Sequence, residues 1–372
     1  GVSWFHPSSP FHTFRANVFD EGGLKSNLIW SFAAEEDKAL WIGTGKGLGR
    51  LDLLTNEYIT PKEVHPQSLW NSVKGDDIRA LMVDEEDLWV AGRKQGVYKV
   101  SLAAGTIVSL NDLLADGQAL SHPYIRIINK AHNGIIWFGA SKGLNRFDPV
   151  TGKIRNYMPE EKNELSLPHY RIRSIFEDSS HRTWVGTSHG LMALDHNGDI
   201  LRVVREAETD NGGLRLAGNG VRGMGEDEQK RLWFATEGGI SIYDEKRQET
   251  VVLRENQGLP SNAVYCAIPA NGFIWASTLN GLARIDPETF QITVYSADHG
   301  LPSNEFNFNA WQKLPDESLA FGTLAGFALM SPQKIPGPED RGYVPPLYVT
   351  PFLYEEDGKR YGIGAQHDVI EV

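Results

Sequence analysis

The chain has 372 residues, and its 48 acidic against 36 basic side chains give a formal charge of −12. With no Lys/Arg-rich run, a general nucleic-acid or anionic-membrane binder is disfavoured, and a hydrophobic content of 41% excludes disorder. No apolar run approaches the roughly 18 residues needed to span a bilayer, and the lone Cys266 excludes an internal disulfide and any multi-cysteine metal site.

The chain opens on Gly1 instead of Met, which reads as a processed or trimmed product from which any leader is gone. The first expected element is an orphan strand, Phe11–Phe19. A repeat then begins: LWIGTGKGLGRLD at 40–52, LWVAGRKQGVYKV at 88–100, IWFGASKGLNRFD at 136–148, TWVGTSHGLMALD at 183–195, LWFATEGGISIYD at 232–244 and IWASTLNGLARID at 274–286. A degenerate seventh copy is LAFGTLAGFALMS at 319–331. The aligned positions Trp41, Trp89, Trp137, Trp184, Trp233, Trp275 and Ala320 are spaced 48, 48, 47, 49, 42 and 45 residues apart.

Each copy reads as four short strands. One runs into an acidic or polar turn, the second carries the Trp, a Gly-containing turn leads to the third, and a brief β-branched or aromatic fourth follows (Glu57–Thr60, Ile154–Met158, Gln291–Tyr295). Four-stranded units with a period of about 40–50 residues are the mark of β-propeller blades; a parallel β-helix has shorter repeats with fewer turns. The expected fold is all-β, a seven-bladed β-propeller over residues 11–335. The seventh copy (Phe306–Lys313, Leu319–Phe321, Gly326–Ser331) lacks a fourth strand before Pro332, so the N-terminal strand is expected to supply it and close one complete ring. Residues 334–341 read as a linker. The stretch 345–364 reads as strand, turn at Asp357-Gly358, and strand, as if the chain stops inside a further β domain.

The pattern G-L-x-S-N, seen as GLKSN (23–27) and GLPSN (258–262 and 300–304), followed by the Trp segment, resembles the two-component regulator propeller repeat over about residues 11–331. The tail at 343–372 resembles the beginning of the triple-tyrosine β-sandwich domain that follows such propellers. The resemblance implies a periplasmic, extracytoplasmic sensor region of a membrane-anchored hybrid kinase or related receptor, with an oligosaccharide as one ligand class. Receptors of this kind are often dimers, so a homodimer is one expectation. Members often carry two propellers and this chain shows one, so a site made between two rings need not carry over.

The two Gly-x-Ser-x-Gly matches, 139–143 and 186–190, fall at the turn between second and third strands, where a hydrolase nucleophile elbow would need a strand–turn–helix. GTGKGLG (43–49) lacks the spacing and helix of a phosphate loop. DHNGD (195–199) lacks the Gly and distal Glu of a calcium loop and reads as a hairpin. The eleven histidines show no metal-ligand spacing, so no metal site and no cofactor is expected. EDSSHRTW (177–184) departs from the sialidase Asp-box in spacing and lacks its Gly. The repeated Trp reads as packing between blades, whereas Trp70 lies outside that register and is a candidate exposed stacking residue.

One register carries chemistry. Just after the apolar residue opening each first strand stand, in order, Trp30, Arg79, Arg126, Arg173, Arg222, Tyr265 and Asn307. First strands line a propeller's channel, so these form a ring near one mouth. Four guanidiniums there could grip a carboxylate or sulfate through their planar forks, with Trp30 and Tyr265 as stacking faces. The competing reading is structural: Asp84, Asp178 and Asp227 follow the Arg of their blade by five residues and could tie it down, although Arg126 has Ala131 there. Loop residues His122, Tyr124, His169, Tyr170, Asn219 and Asn262 belong to the same expected face. The expected function is that of a non-enzymatic module binding a small-molecule or oligosaccharide ligand, with no nucleic-acid partner. A propeller lyase or glycosidase and a protein-docking scaffold are the alternatives.

Overall fold

The computed structural model describes residues 10–16, 23–59, 75–94, 96–205, 210 and 212–335, and the strand backbone of 352–356, 359–363 and 369–371. Two compact units result, Gly1–Ile335 and Pro336–Val372.

The first unit is a ring of seven four-stranded antiparallel sheets. Blade one comprises Ile29–Glu35, Ala39–Thr44, Gly47–Asp52 and Tyr58–Ile59. Blade two is Ile78–Asp84, Asp87–Gly92, Gly96–Ser101 and Ile107–Ser109. Blade three is Ile125–Lys130, Ile136–Ala140, Leu144–Asp148 and Lys153–Tyr157. Blade four is Ile172–Glu177, Thr183–Thr187, Gly190–Leu194 and Ile200–Val204. Blade five is Val221–Glu226, Leu232–Thr236, Gly239–Asp244 and Glu249–Leu253. Blade six is Ile268–Ala270, Phe273–Thr278, Gly281–Ile285 and Ile292–Tyr295.

Blade seven takes Phe306–Lys313, Leu319–Thr323 and Gly326–Met330 from the end of the ring and Phe11–Phe14 from its start. The N-terminal strand pairs antiparallel with the third, Phe11 opposite Met330 and Phe14 opposite Phe327. It is shorter than the expected Phe11–Phe19, of which residues 17–19 lie outside the described residues.

The second strand of every blade is buried on both faces, and that dictates the repeat. Each of the six register tryptophans has at most 2% of its surface exposed. Trp89 reaches across into blade three, packing edge-on against Phe138 and Phe147; Trp184 meets Phe234 of blade five. The tryptophans are thus mortar between blades, each burial contributing about 1.5–3 kcal/mol or more.

The T-x-x-G turn is equally mechanical. Thr187 Oγ1 donates to the Gly190 carbonyl at 2.9 Å and accepts from the His189 amide at 3.2 Å. Gly190 has φ 114°, and a Cβ there would lie 2.4 Å from the Val204 carbonyl oxygen, so glycine is required. A strand, not a helix, follows Gly143 and Gly190, so neither Gly-x-Ser-x-Gly match is a nucleophile elbow. In 195–199 the Asp195 carboxylate accepts the amides of Asn197 and Asp199, a hairpin turn. Helix is confined to one turn, Leu110–Leu113, and three 3₁₀ turns among the described residues. None of these is long and apolar enough to cross a membrane.

In the second unit, Phe352–Glu356, Lys359–Ile363 and Val369–Glu371 form an antiparallel sheet in that order. The expected strand pair is present with a third strand added; Asp357 and Gly358 lie outside the described residues, as does Trp70.

Candidate ligand-binding site

A cavity of about 420 Å³ occupies the ring's central channel, lined by the first strands of blades one to five and seven. In blades one to five the pairing of first and second strands slips at one residue: between Ile29 and Ser31, Ile78 and Ala80, Ile125 and Ile127, Ile172 and Ser174, and Val221 and Gly223. The skipped residues are Trp30, Arg79, Arg126, Arg173 and Arg222. A bulge leaves its extra residue outside the ladder and re-aims its side chain. The register noticed in the sequence is therefore a register of bulges.

The side chains form an alternating arc of cations and rings. The Arg79 guanidinium lies 3.7 Å from the centroid of Trp30 and donates to Asp77 Oδ2 at 2.8 Å. Arg93 reaches the same carboxylate at 3.5 Å. Arg93 and Arg126 both stand over Tyr124, at 5.8 and 5.6 Å. Arg173 and Arg222 share the face of Phe308, at 5.4 and 5.0 Å. Arg222 also lies 5.3 Å from Tyr265, whose ring meets Phe308 edge-on.

Charge is not balanced within this arc. Arg173 donates to Ser188 Oγ at 2.9 Å, and Arg222 lies 3.6 Å from Glu237. Among the described residues Arg126 and Arg173 have no carboxylate partner. Burial, then the guanidiniums of Arg126, Arg171 and Arg222, push the Arg173 pKa down to about 10 against an opposing pull from the Glu237 carboxylate. Burial lowers that of Arg126 as well, with Arg79, Arg171 and Arg93 adding to it against an opposing pull from Tyr124. Burial, His189, Arg171 and Arg173 likewise lower His169. In a chain with twelve excess negative charges, this mouth is a focused positive potential.

The expected carboxylate ties do not form. Asp178 and Asp227 turn instead to the arginine four residues on and to the Trp of their own blade. Asp178 Oδ2 accepts from Arg182 Nε and Trp184 Nε1, each at 2.7 Å, and Asp227 Oδ2 from Arg231 Nε at 2.7 Å and Trp233 Nε1 at 2.8 Å. Asp84 pairs with Lys130 of the next blade. The reason is direction: five residues along a strand and its turn put these acids at the opposite end from the arginine.

The other expected residues divide. Tyr170 is exposed beside His169, and Tyr124 is half-buried within the arc. Tyr265 is buried, yet its ring still faces Arg222. Asn307 is 6% exposed and its amide donates to the carbonyls of Ile29 and Thr323, joining blade seven to blade one. His122 and His169 accept the amide two residues on through Nδ1, as Ser261 and Ser303 do in their blades. Asn262 accepts the Glu255 amide. The Asn219 carbonyl takes the Gly190 amide.

Phe308, Arg93, Arg171 and Asp77 were not foreseen. Phe308 displaces Asn307 as the channel residue because blade seven slips over a longer span, from Phe306 to Trp311, with Asn309 at φ 56°. The extra length of that strand, eight residues against six or seven in blades one to five, is the signal that points to it.

The ring defines the protein as a seven-bladed β-propeller with a cationic channel mouth. Residues 166–189, which run from the loop before blade four through its second strand, match the two component regulator propeller family. Similar turns and a Trp strand recur in the other blades, so the matched segment is one copy of the repeat around the ring. Histidine kinase P4 of Formosa agariphila is 28% identical over 369 residues, taking in 96% of this chain and 26% of that protein. The chain thus spans about a quarter of that relative's length. Among solved structures, the extracellular domain of a one component system from B. thetaiotaomicron is similar over 97% of this chain and 56% of that one, with 18% identity and a TM-score of 0.47. PorZ, a surface component of the type-IX secretion system of Porphyromonas gingivalis, matches 85% of this chain and 48% of its own at 14% identity and TM-score 0.60. The likeness to PorZ is one of fold.

Proposed function

We propose that this propeller is the extracytoplasmic, periplasmic sensor region of a two-component receptor, and that its cationic mouth binds a small polar ligand such as an oligosaccharide. The family match and the similarity to a histidine kinase support the receptor. The following unit, Pro336–Val372, would then begin the β-sandwich that carries the signal onward, and a membrane-anchored homodimer would be the natural assembly.

One observation carries the binding site: Arg126 and Arg173 are half-buried, adjacent and, among the described residues, in no ion pair with a carboxylate, on bulges that re-aim them. A desolvated guanidinium lacking an anion is costly, and hydrogen bonds to charged groups are worth about 1.5–3 kcal/mol each when made. A carboxylate or sulfate on a sugar would supply the missing acceptors, while the exposed ring of Tyr170 and the half-buried ring of Tyr124 offer faces to pyranose carbons.

The test is a melting-temperature screen against neutral and acidic oligosaccharides, with the mixtures followed by mass spectrometry. The expected result is a shift without turnover that disappears in Arg126→Ala and Arg173→Ala. New product masses would instead make the propeller an enzyme. A shift that survives both substitutions would remove the arginine mouth from ligand binding.

A further inference from the structure

On the face opposite the arginine mouth, the turns that end the first strands of blades three, four and six touch the next blade. Arg173 and Glu177 bound one strand, about 13 Å apart at 3.3 Å per residue. At the seams of blades four and five and of blades six and seven, an acid of one blade caps the turn of the blade before it, a clasp between the two. Glu226 accepts the Ser179 amide and hydroxyl at 2.8 and 2.7 Å, and Glu317 accepts the Asn271 amide at 3.3 Å.

At the seam of blades three and four the clasp has a different chemistry. Glu177 Oε2 takes the His132 amide at 2.8 Å, while Oε1 lies 2.5 Å from His132 Nδ1 and 3.7 Å from His181 Nδ1. The two imidazoles stack, centroids 3.6 Å apart and planes at 26°. One ligand atom from each of the three residues falls within 4.8 Å of the others. Capping needs only the carboxylate and an amide, as the next seam shows with Ser179; two imidazoles turned onto the same oxygen do nothing further for the cap. His181 stands at φ 61°, but so do Glu36, Glu85 and Lys230 at the matching turns, so the backbone is the ring's and the residue types are this seam's own.

We propose that His132, Glu177 and His181 form a binding site for a borderline-soft divalent metal ion, with zinc as the fitting member, which clips blade three to blade four. Two imidazoles and one carboxylate suit zinc, copper or nickel and not calcium or magnesium. A tetrahedral zinc ion with bonds of about 2.0–2.1 Å holds its ligand atoms about 3.3 Å apart. His132 Nδ1 has only to withdraw from its contact with Oε1 and the His181 ring to turn inward. His181 has 57% of its side chain exposed and Glu177 16%, so the ring is free to move while the carboxylate is held. Three protein ligands leave the remaining position to water. The residues lie 45 and 4 positions apart, and the packing of blade four against blade three brings the distant one to the other two. This site is independent of the ligand-binding reading.

The experiment is calorimetric titration of the full chain with ZnCl₂ at pH 7.5, followed by Cu²⁺ electron paramagnetic resonance. The expected result is one tight equivalent of zinc, not displaced by excess Ca²⁺ or Mg²⁺ and lost at pH 5 as the imidazoles protonate. Nitrogen hyperfine structure from two imidazoles is expected, with tight binding weakened at least ten-fold in His132→Ala, His181→Ala and Glu177→Gln. Glu177→Gln retains a carbonyl for the turn amide, and the far-ultraviolet spectrum checks that each variant is folded. On the other face His169 and His189 are also close, at 4.6 Å, so His189→Ala must leave the zinc equivalent intact. Absence of binding, or a site that survives His132→Ala and His181→Ala or vanishes in His189→Ala, overturns the proposal.

Discussion

The guanidinium of Arg79 lies 3.7 Å from the ring centroid of Trp30, spanning the seam between blades two and one. The Trp30 indole nitrogen and Arg79 Nε are both buried without hydrogen-bond partners, so the two side chains meet through stacking alone, while the other end of the guanidinium is held by Asp77. Arg79 thus covers one face of the half-buried Trp30 ring. A double-mutant cycle of Trp30→Leu and Arg79→Met in urea should return a coupling of about 0.5–2 kcal/mol. A coupling of zero would show that the two merely lie near each other.

Arg173 is set against stability by the same logic. Its guanidinium is partly desolvated beside Arg126, Arg171 and Arg222, and among the described residues its side-chain hydrogen bond goes to the neutral Ser188 hydroxyl. Replacing an uncompensated charge by an apolar chain of similar length should raise stability by about 1 kcal/mol. Arg173→Met is therefore expected to melt higher than the parent while losing its response to an acidic oligosaccharide. A lower melting temperature would make the guanidinium a brace of the ring.

The opposite sign is expected at Asp178 and Asp227. Each carboxylate is buried, at 3% and 4% exposure, and binds an arginine, an indole and turn amides at once. Removal leaves the indole N–H and the arginine Nε without their acceptor, while Arg182 keeps Glu245 and Arg231 keeps the Pro287 carbonyl, so the cost is about 1–3 kcal/mol. Asp178→Ala and Asp227→Ala should each lower the urea midpoint markedly, and Asp178→Asn, which keeps an acceptor, should lower it less. Equal loss in Ala and Asn variants would locate the effect in charge and not in the indole bond.

Why the fold was legible and part of the site was not follows from these residues. The T-x-x-G turn and Gly190 act within one blade, and the Trp register, though it packs on the next blade, recurs at regular spacing along the chain. The arginine register was legible for the same reason, since each bulge sits at a fixed offset from its strand. What the arginines touch was not, because Trp30 meets Arg79 across a seam and Phe308 reaches Arg173 and Arg222 across the channel. Asn307 was placed in the mouth by counting from Phe306, and the slip in blade seven moved that place one residue on. The His132, Glu177 and His181 cluster likewise exists only once blades three and four adjoin.

Cys266 offers a reading of alkaline stability. It is fully buried, its Sγ 3.0 Å from Ser277 Oγ, and burial raises its pKa from 9.0 to about 11. Between those values the folded chain keeps a proton that the unfolded chain has released. Stability contributed by the neutral thiol is thus complete below about pH 9 and is lost as pH rises towards 11. Urea midpoints taken from pH 8 to 10.5 should fall more steeply for the parent than for Cys266→Ala, and a thiol reagent should label the native chain only as it unfolds. Parallel curves, or rapid labelling of the folded protein at neutral pH, would contradict this.

Closure of the ring depends on a four-residue strand, which makes it open to a direct test. Phe14 stacks on Phe327 at 4.5 Å, and Phe11 meets Tyr295 of blade six edge-on at 5.8 Å. The two rings thus insert into the seams on either side of blade seven, tying the chain's start to both neighbours of its end. Truncating Phe14 to Ala should cost about 3–5 kcal/mol, as for other buried aromatic deletions. Removing residues up to Ala16 should do more than the sum of the two rings, because the strand Gly326–Met330 is left as an unpaired edge that can template association. Light scattering across a concentration series should therefore show the truncated chain self-associating while Phe14→Ala remains at the parent's mass. A truncated chain with the parent's mass and melting temperature would mean that the ring holds without its N-terminal strand.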